Sequence, residues 1–144
     1  MISAPNEPPT ARAATTPASP GLRIFLVEND ADTRRIFGML LERMGHSVRS
    51  VETLADALAE LATARYDVLI ADIGLSDGTG WDLLRLMRED NIPQPPYAIA
   101  MSGFGMSADR TRSLSEGYRE HFVKPIDTRR LFAALEQARQ GRDA

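Results

Sequence analysis

Short apolar runs alternate with longer segments of helical periodicity from residue 21 to residue 140. The runs with the length and composition of strands are residues 23–28, 46–52, 66–72, 97–102 and 120–124. The segments with helical spacing or helix-capping residues are 30–45, 53–65, 80–90, 107–117 and 127–140. A chain that alternates strand and helix in this way is predicted to form a parallel sheet covered by helices on both faces.

This pattern predicts a single doubly wound α/β domain, a flavodoxin-like (βα)5 fold whose five parallel strands lie in the order 2-1-3-4-5. A length of 144 residues suits one domain, which we place at residues 22–140. Residues 1–21 are rich in Pro, Ala and Thr and lack the apolar side chains that would offset the entropy of ordering them. We expect them to form a disordered tail or linker, and residues 141–144 to form a short C-terminal tail.

The helical segments also predict buried faces and caps. The apolar residues at helical spacing are Ile36, Met39, Leu40 and Met44 in the first helix, and Leu131, Phe132, Leu135 and Ala138 in the last. The predicted capping residues are Asp30, Thr53 with Asp56, and Asp127 or Thr128, with Gly45 ending the first helix.

Composition excludes several classes of protein. The formal net charge of −3 is unlike that of a nucleic-acid-binding protein, and no apolar run is long enough to span a membrane. The chain contains no cysteine, which excludes a disulfide framework and fits a reducing compartment. We therefore expect a cytoplasmic protein that binds neither nucleic acid nor membrane.

Polar residues end four of the five predicted strands. They are Glu28 and Asn29 after strand 1, Asp72 after strand 3, Ser102 after strand 4 and Lys124 after strand 5. Taken singly, each could be a turn residue, a helix cap or a surface charge. Together they would converge at the carboxyl edge of the sheet, where open α/β folds bind ligands.

These residue types suit phosphoryl chemistry. Clustered carboxyl oxygens without histidine or cysteine favour Mg²⁺, and a carboxylate such as Asp72 can act as a nucleophile toward phosphorus. Lys124 could neutralise the charge of the phosphoryl oxygens and Ser102 could donate a hydrogen bond to one of them. Gly103 leaves room for the phosphoryl group to approach.

Four stretches of the sequence resemble, in order and spacing, the motifs of two-component response-regulator receiver domains. They are "FLVEND", "LIADIGLSDGTGWDLL", "AIAMSGFG" and "HFVKPID". "HFVKP" and "DTRR" look most like receivers attached to hybrid histidine kinases. The resemblance implies a signalling domain rather than a turnover enzyme. It would take a phosphoryl group from a histidine kinase or a histidine phosphotransfer protein, and it could form a homodimer when phosphorylated.

The resemblance also implies a role for individual residues. Asp72 would be the phosphoacceptor, Lys124 the phosphate-binding lysine and Ser102 the hydroxyl switch. Glu28, Asn29 and Asp72 would form the metal pocket, which the backbone carbonyl of Gly74 would complete. A cis Lys124–Pro125 bond is expected as well, since X-Pro bonds adopt cis at small cost. Phosphorylation would switch the face built by helix 4, strand 5 and helix 5.

Three positions depart from the family pattern. Asn29 stands where the family usually has a metal-binding aspartate, so we expect weak Mg²⁺ binding. Ser76 replaces a frequent proline. His121 occupies the position of the aromatic switch; it could swing with Ser102, but a surface-exposed histidine is the expectation.

Two other functions remain open on sequence alone. A receiver-like interaction module that is never phosphorylated would fit Asn29. A phosphatase that forms an aspartyl phosphate would need a second acid two residues after the nucleophile, and Gly74 stands there.

Overall fold

The computed structural model describes residues 21–103 and 107–144, and in them five parallel strands form one sheet. The strands are β1 (Arg23–Val27), β2 (Ser47–Val51), β3 (Val68–Asp72), β4 (Tyr97–Ser102) and β5 (Glu120–Val123). The helices are α1 (Ala31–Arg43), α2 (Leu54–Thr63), α3 (Gly80–Glu89), α4 (Ser107–Glu116) and α5 (Thr128–Asp143). The sheet order is β2-β1-β3-β4-β5, which confirms the predicted fold. The predicted N-terminal tail lies outside the described residues, apart from Gly21.

The central strands β1, β3 and β4 are buried on both faces because helices cover both sides of the sheet. Successive residues of a strand point to opposite faces, so Ile24 and Leu26 of β1 join one core while Phe25 and Val27 join the other. The first core is completed by α1 and α5, the second by α2 and α3. Within the described residues, no helix is both long and apolar enough to cross a lipid bilayer.

The buried face of α1 differs from the predicted one. Ile36 and Met39 are 58% and 50% exposed, and the helix instead packs on the core through Phe37, Leu40, Leu41 and Met44. Apolar residues occupy more than one side of this helix, so periodicity alone could not select the buried side.

The last helix differs from the prediction in two ways. Phe132 is 53% exposed, and Ala134 packs on the core beside Leu131, Leu135 and Ala138. The helix also continues past residue 140 to Asp143, so most of the predicted C-terminal tail is helical. Arg142 fixes this last turn, because its Nη1 donates to the Gly21 carbonyl at 3.0 Å and lies 3.6 Å from Asp67 Oδ2.

The predicted caps are present at three helices. Asp30 caps α1, Thr53 caps α2 and Asp127 caps α5, each accepting a hydrogen bond from a backbone N–H of the first turn. Gly45 follows α1 with a φ of +100°, in the left-handed region that glycine adopts without strain. These capping residues fix where the helices begin, and so where the loops from the preceding strands end.

Candidate functional site

Glu28, Asp72, Ser102 and Lys124 all lie at the carboxyl edge of the sheet, as predicted. Asp72 and Ser102 are the last residues of β3 and β4, and Glu28 and Lys124 directly follow β1 and β5. The structure joins three of them directly: Lys124 Nζ donates to Glu28 Oε1 at 2.5 Å and to Asp72 Oδ2 at 2.7 Å.

Asp72 is held at the base of the pocket with 6% of its surface exposed. Its Oδ1 accepts a hydrogen bond from Gly74 N at 2.9 Å. Gly80, at the start of α3, packs so closely that a Cβ there would stand 2.8 Å from the Asp72 carbonyl oxygen. This close packing fixes the position of the Asp72 backbone.

The loop after Asp72 is tied to a neighbouring helix. It forms a short antiparallel hairpin between Gly74–Leu75 and Gly78–Thr79. Asp77 at its tip accepts hydrogen bonds from Leu54 N at 2.8 Å and Ala55 N at 3.0 Å. Sequence reasoning missed this contact, since the carboxylate caps a helix that begins 23 residues earlier.

Glu28 is 1% exposed and has hydrogen bonds to both carboxylate oxygens. Besides the contact with Lys124, its Oε2 accepts from Asp30 N at 2.9 Å. Its backbone carbonyl accepts from Arg34 Nη1 at 2.7 Å. Because a buried carboxylate is costly unless it is paired, these contacts explain how Glu28 is kept in the pocket.

Lys124 remains charged in this setting. Burial by itself lowers the pKa of Lys124, but the hydrogen bonds and charges of Asp72 and Glu28 outweigh burial and raise the pKa above its ordinary value. The Lys124–Pro125 bond is cis, as predicted. The ammonium group therefore lies between two carboxylates, where it offsets part of their negative charge and holds them close together.

Asn29 and Asp30 have different surroundings. Asn29 is exposed. Asp30 is turned toward α1, where its Oδ2 accepts from Thr33 N at 2.8 Å and Thr33 Oγ1 at 2.6 Å. These two hydrogen bonds lower the pKa of Asp30. Asp30 is thus engaged as a helix cap and does not replace the charge that Asn29 lacks.

The donor atoms of the pocket fit a magnesium ion, but with few charges. Glu28 and Asp72 supply carboxylate oxygens, and the Asn29 side chain and the Gly74 carbonyl can supply neutral oxygens. Among the residues that the structure describes, no group of three or more His, Cys, Asp or Glu side chains is arranged to hold a metal. Hard oxygen donors suit Mg²⁺, and two carboxylates rather than three are consistent with a weak site.

His121 is buried, so the expectation of a surface histidine is wrong. It is 3% exposed and lies on β5 beside the end of β4. Its Nε2 is 2.9 Å from Ser102 Oγ and its Nδ1 is 2.7 Å from Ser113 Oγ. These partners lie on other elements, 19 and 8 residues away. Sequence reasoning missed Ser113, because a single serine in a polar helix carries no signal of burial.

The two histidines predict how stability depends on pH. Burial lowers the pKa of both His121 and His46 below 6.5. Below a pH of about 6.5 the unfolded chain then binds protons that the folded chain does not, so the free energy of unfolding falls as pH falls. We expect urea unfolding to show stability decreasing from pH 7 to 5.5, with a smaller slope in His121→Phe. One histidine accounts for at most about 1.4 kcal/mol per pH unit. An unchanged slope in that variant would contradict the prediction.

Residues 24–136 match the sequence profile described as the response regulator receiver domain. The chain belongs to the response regulator receiver family. Receiver domains of this family are signalling domains of two-component systems. The resemblance seen in the sequence motifs is therefore confirmed, and the pocket described above lies where those motifs meet.

The aligned region covers about four fifths of this chain in two relatives, but a different share of each relative's own length. The KDP operon transcriptional regulatory protein KdpE of Escherichia coli is 32% identical over 116 residues, 80% of this chain and 50% of KdpE. An uncharacterized 14.6 kDa protein of Leptolyngbya boryana is 27% identical over 114 residues, 79% of this chain and 87% of that protein. This receiver domain thus spans about half the length of KdpE.

Solved structures show the same fold. A two-component response regulator from Clostridium difficile has a TM-score of 0.77 at 22% identity, covering 85% of this chain and 98% of that one. The receiver domain of Francisella response regulator 1452 has a TM-score of 0.75 at 19% identity, covering 82% of this chain and 96% of that one.

Proposed function

We propose that Asp72 of this receiver domain accepts a phosphoryl group from a phosphohistidine on a histidine kinase or a histidine phosphotransfer protein. A carboxylate oxygen of Asp72 forms the bond to phosphorus while the P–N bond breaks and the imidazole leaves with its electron pair. The observation that carries the proposal is the direct contact of Lys124 Nζ with both Asp72 and Glu28.

The residues around Asp72 have complementary parts in this reaction. Lys124 offsets the negative charge that the phosphoryl oxygens bring, and Ser102 donates its hydroxyl proton to one of them. Glu28, Asn29, Asp72 and the Gly74 carbonyl would hold Mg²⁺, which would supply further positive charge toward the phosphoryl group. Gly74 N already binds Asp72 Oδ1, which orients the carboxylate before any phosphodonor arrives.

An apolar groove beside the pocket suits the phosphodonor. A cavity of about 460 Å³ lies between α1 and the segment after β5, and Lys124 belongs to its lining. Ile36 lines the same cavity and is 58% exposed, and Met39 one turn on is 50% exposed. A donor must bring its phosphohistidine to Asp72, so its docking surface has to border Lys124. We assign this groove and the exposed side of α1 to that contact.

The switching face proposed for the phosphorylated state is built by α4, β5 and α5. Each of these elements exposes one large apolar side chain: Leu114, Val123 and Phe132. The helix α4 is polar, and Ser113 is its fully buried side chain among those described. None of the described side chains of α4 belongs to either apolar core, so a modest change at Ser102 can shift this helix. The exposed apolar residues of the face offer a surface for pairing with a second copy.

Acetyl phosphate tests the proposal without the cognate kinase. We expect the chain to gain one phosphoryl mass in a reaction that is faster with Mg²⁺, and amide exchange in residues 107–116 to change in the same sample. Sustained release of phosphate without a stable phosphoprotein would indicate the phosphatase. No labelling at any Mg²⁺ concentration would favour the interaction module, which the exposed, uncharged Asn29 makes the second candidate.

A further inference from the structure

A chain of hydrogen bonds leads from the phosphoacceptor edge to the surface between α3 and α4. Ser102 Oγ is 2.9 Å from His121 Nε2, His121 Nδ1 is 2.7 Å from Ser113 Oγ, and Trp81 Nε1 donates to Ser113 Oγ at 2.9 Å. Ser102, Ser113 and His121 are each at most 6% exposed. The path thus crosses β4, β5 and α4 through buried side chains and ends at the half-buried Trp81 on α3.

Proton counting leaves this chain two arrangements. A neutral imidazole has one N–H donor and one acceptor nitrogen, and burial lowers the pKa of His121 and so favours the neutral form. In the first arrangement Nδ1–H donates to Ser113 and Nε2 accepts the Ser102 proton. In the second, Nε2–H donates to Ser102 and Nδ1 accepts the Ser113 proton. The two have the same heavy-atom positions and opposite hydrogen-bond directions.

A phosphoryl group on Asp72 removes this freedom, provided that Ser102 acts as in the proposed function. The Ser102 hydroxyl has a single proton. Once that proton is donated to a phosphoryl oxygen, it is no longer available to His121 Nε2. An Nε2 without a proton would then face an oxygen without a proton to give, and a buried acceptor left unsatisfied is costly. The second arrangement becomes the favoured one.

We propose that His121 is a tautomeric relay that converts phosphorylation of Asp72 into a reversal of hydrogen-bond direction at Ser113 on α4. This inference rests on the proposed function. With Nε2 protonated, Nδ1 takes the Ser113 proton and fixes the direction of that hydroxyl. The imidazole keeps both hydrogen bonds and stays in place. A swinging ring would break both at once, so the anchored ring favours proton exchange over the ring rotation that the sequence left open.

The nitrogen resonances of the ring report the tautomer directly. The full chain, labelled with ¹⁵N-histidine, is compared before and after treatment with acetyl phosphate and Mg²⁺, with occupancy followed by intact mass. We expect Nε2 of His121 to become the protonated nitrogen and Nδ1 the unprotonated one on phosphorylation. His46 is the internal control, because its Nδ1 accepts from Leu22 N at 2.9 Å and so keeps Nε2–H in both states.

A matched variant separates the relay from a general change of structure. In Ser102→Ala, phosphorylated to the same occupancy, the tautomer of His121 should not respond, since the proton that changes partner is absent. Three results would overturn the relay: a phosphorylated wild type with the same His121 tautomer as before, loss of both ring hydrogen bonds as in a swing, or an unchanged response in Ser102→Ala. Absence of any phosphoryl gain would overturn the proposed function, and the relay with it.

Discussion

Asp72→Asn is expected to reduce phosphorylation by acetyl phosphate to background. The asparagine amide can still accept the hydrogen bond from Gly74 N, but it has no carboxylate oxygen to form an acyl phosphate. Intact mass and base-labile labelling measure the outcome. Circular dichroism and urea unfolding check that the variant is folded, which we expect because Lys124 retains Glu28 as a partner.

Asp67→Asn is the matched control for this change. Asp67 precedes the same strand β3 at its amino end, where its Oδ2 accepts from Arg23 N at 2.8 Å. The Asp67→Asn substitution removes one negative charge, as Asp72→Asn does, but from the opposite edge of the sheet, so labelling should remain at the wild-type level. Wild-type labelling of Asp72→Asn, or its loss in Asp67→Asn alone, would show that Asp72 is not the phosphoacceptor.

Asn29→Asp is expected to tighten Mg²⁺ binding by about 5- to 150-fold, or about 1–3 kcal/mol. A unit charge gains roughly 4 kcal/mol from each unit of cation charge at about 4 Å in an effective dielectric of 20. Water at the pocket offsets much of this gain, since residue 29 is exposed. Asp30 cannot already supply the charge, because its carboxylate caps α1 through Thr33.

Isothermal titration calorimetry with MgCl₂ measures the change, and Trp81 fluorescence offers a second readout. Asn91→Asp is the control, since it makes the same substitution after α3, at the amino edge of the sheet, away from the pocket. Its affinity for Mg²⁺ should equal that of the wild type. Equal affinity in Asn29→Asp and wild type would mean that residue 29 is not a metal ligand.

The sequence predicted the sheet and the members of the pocket for a physical reason. Buried parallel strands need continuous apolar runs, so polar residues at their ends, such as Asp72 and Lys124, stand out by contrast. Because all five strands run parallel, their carboxyl ends lie along one edge of the sheet. The same contrast is absent from α1, where Ile36 and Phe37 are equally apolar and tertiary packing alone decides which one is buried.

Contacts between distant polar residues were beyond the reach of sequence patterns. His121 can be buried because Ser102 and Ser113 form hydrogen bonds with both of its ring nitrogens. No pattern in the sequence identifies either serine as a hydrogen-bond partner of His121. Asp77 holds the loop after Asp72 by capping α2. Burial of polar groups depends on partners that only the folded chain brings together.

The bond from Arg142 to the Gly21 carbonyl brings the two ends of the folded domain to one corner. That corner adjoins Arg23 and Asp67 at the amino edge of the sheet, whereas Asp72 lies at the carboxyl edge. A fluorescent protein fused at either end of the folded domain would therefore leave open the groove between α1 and the segment after β5. A short linker between residues 143 and 21 would also allow circular permutation, with new ends cut in a loop of choice.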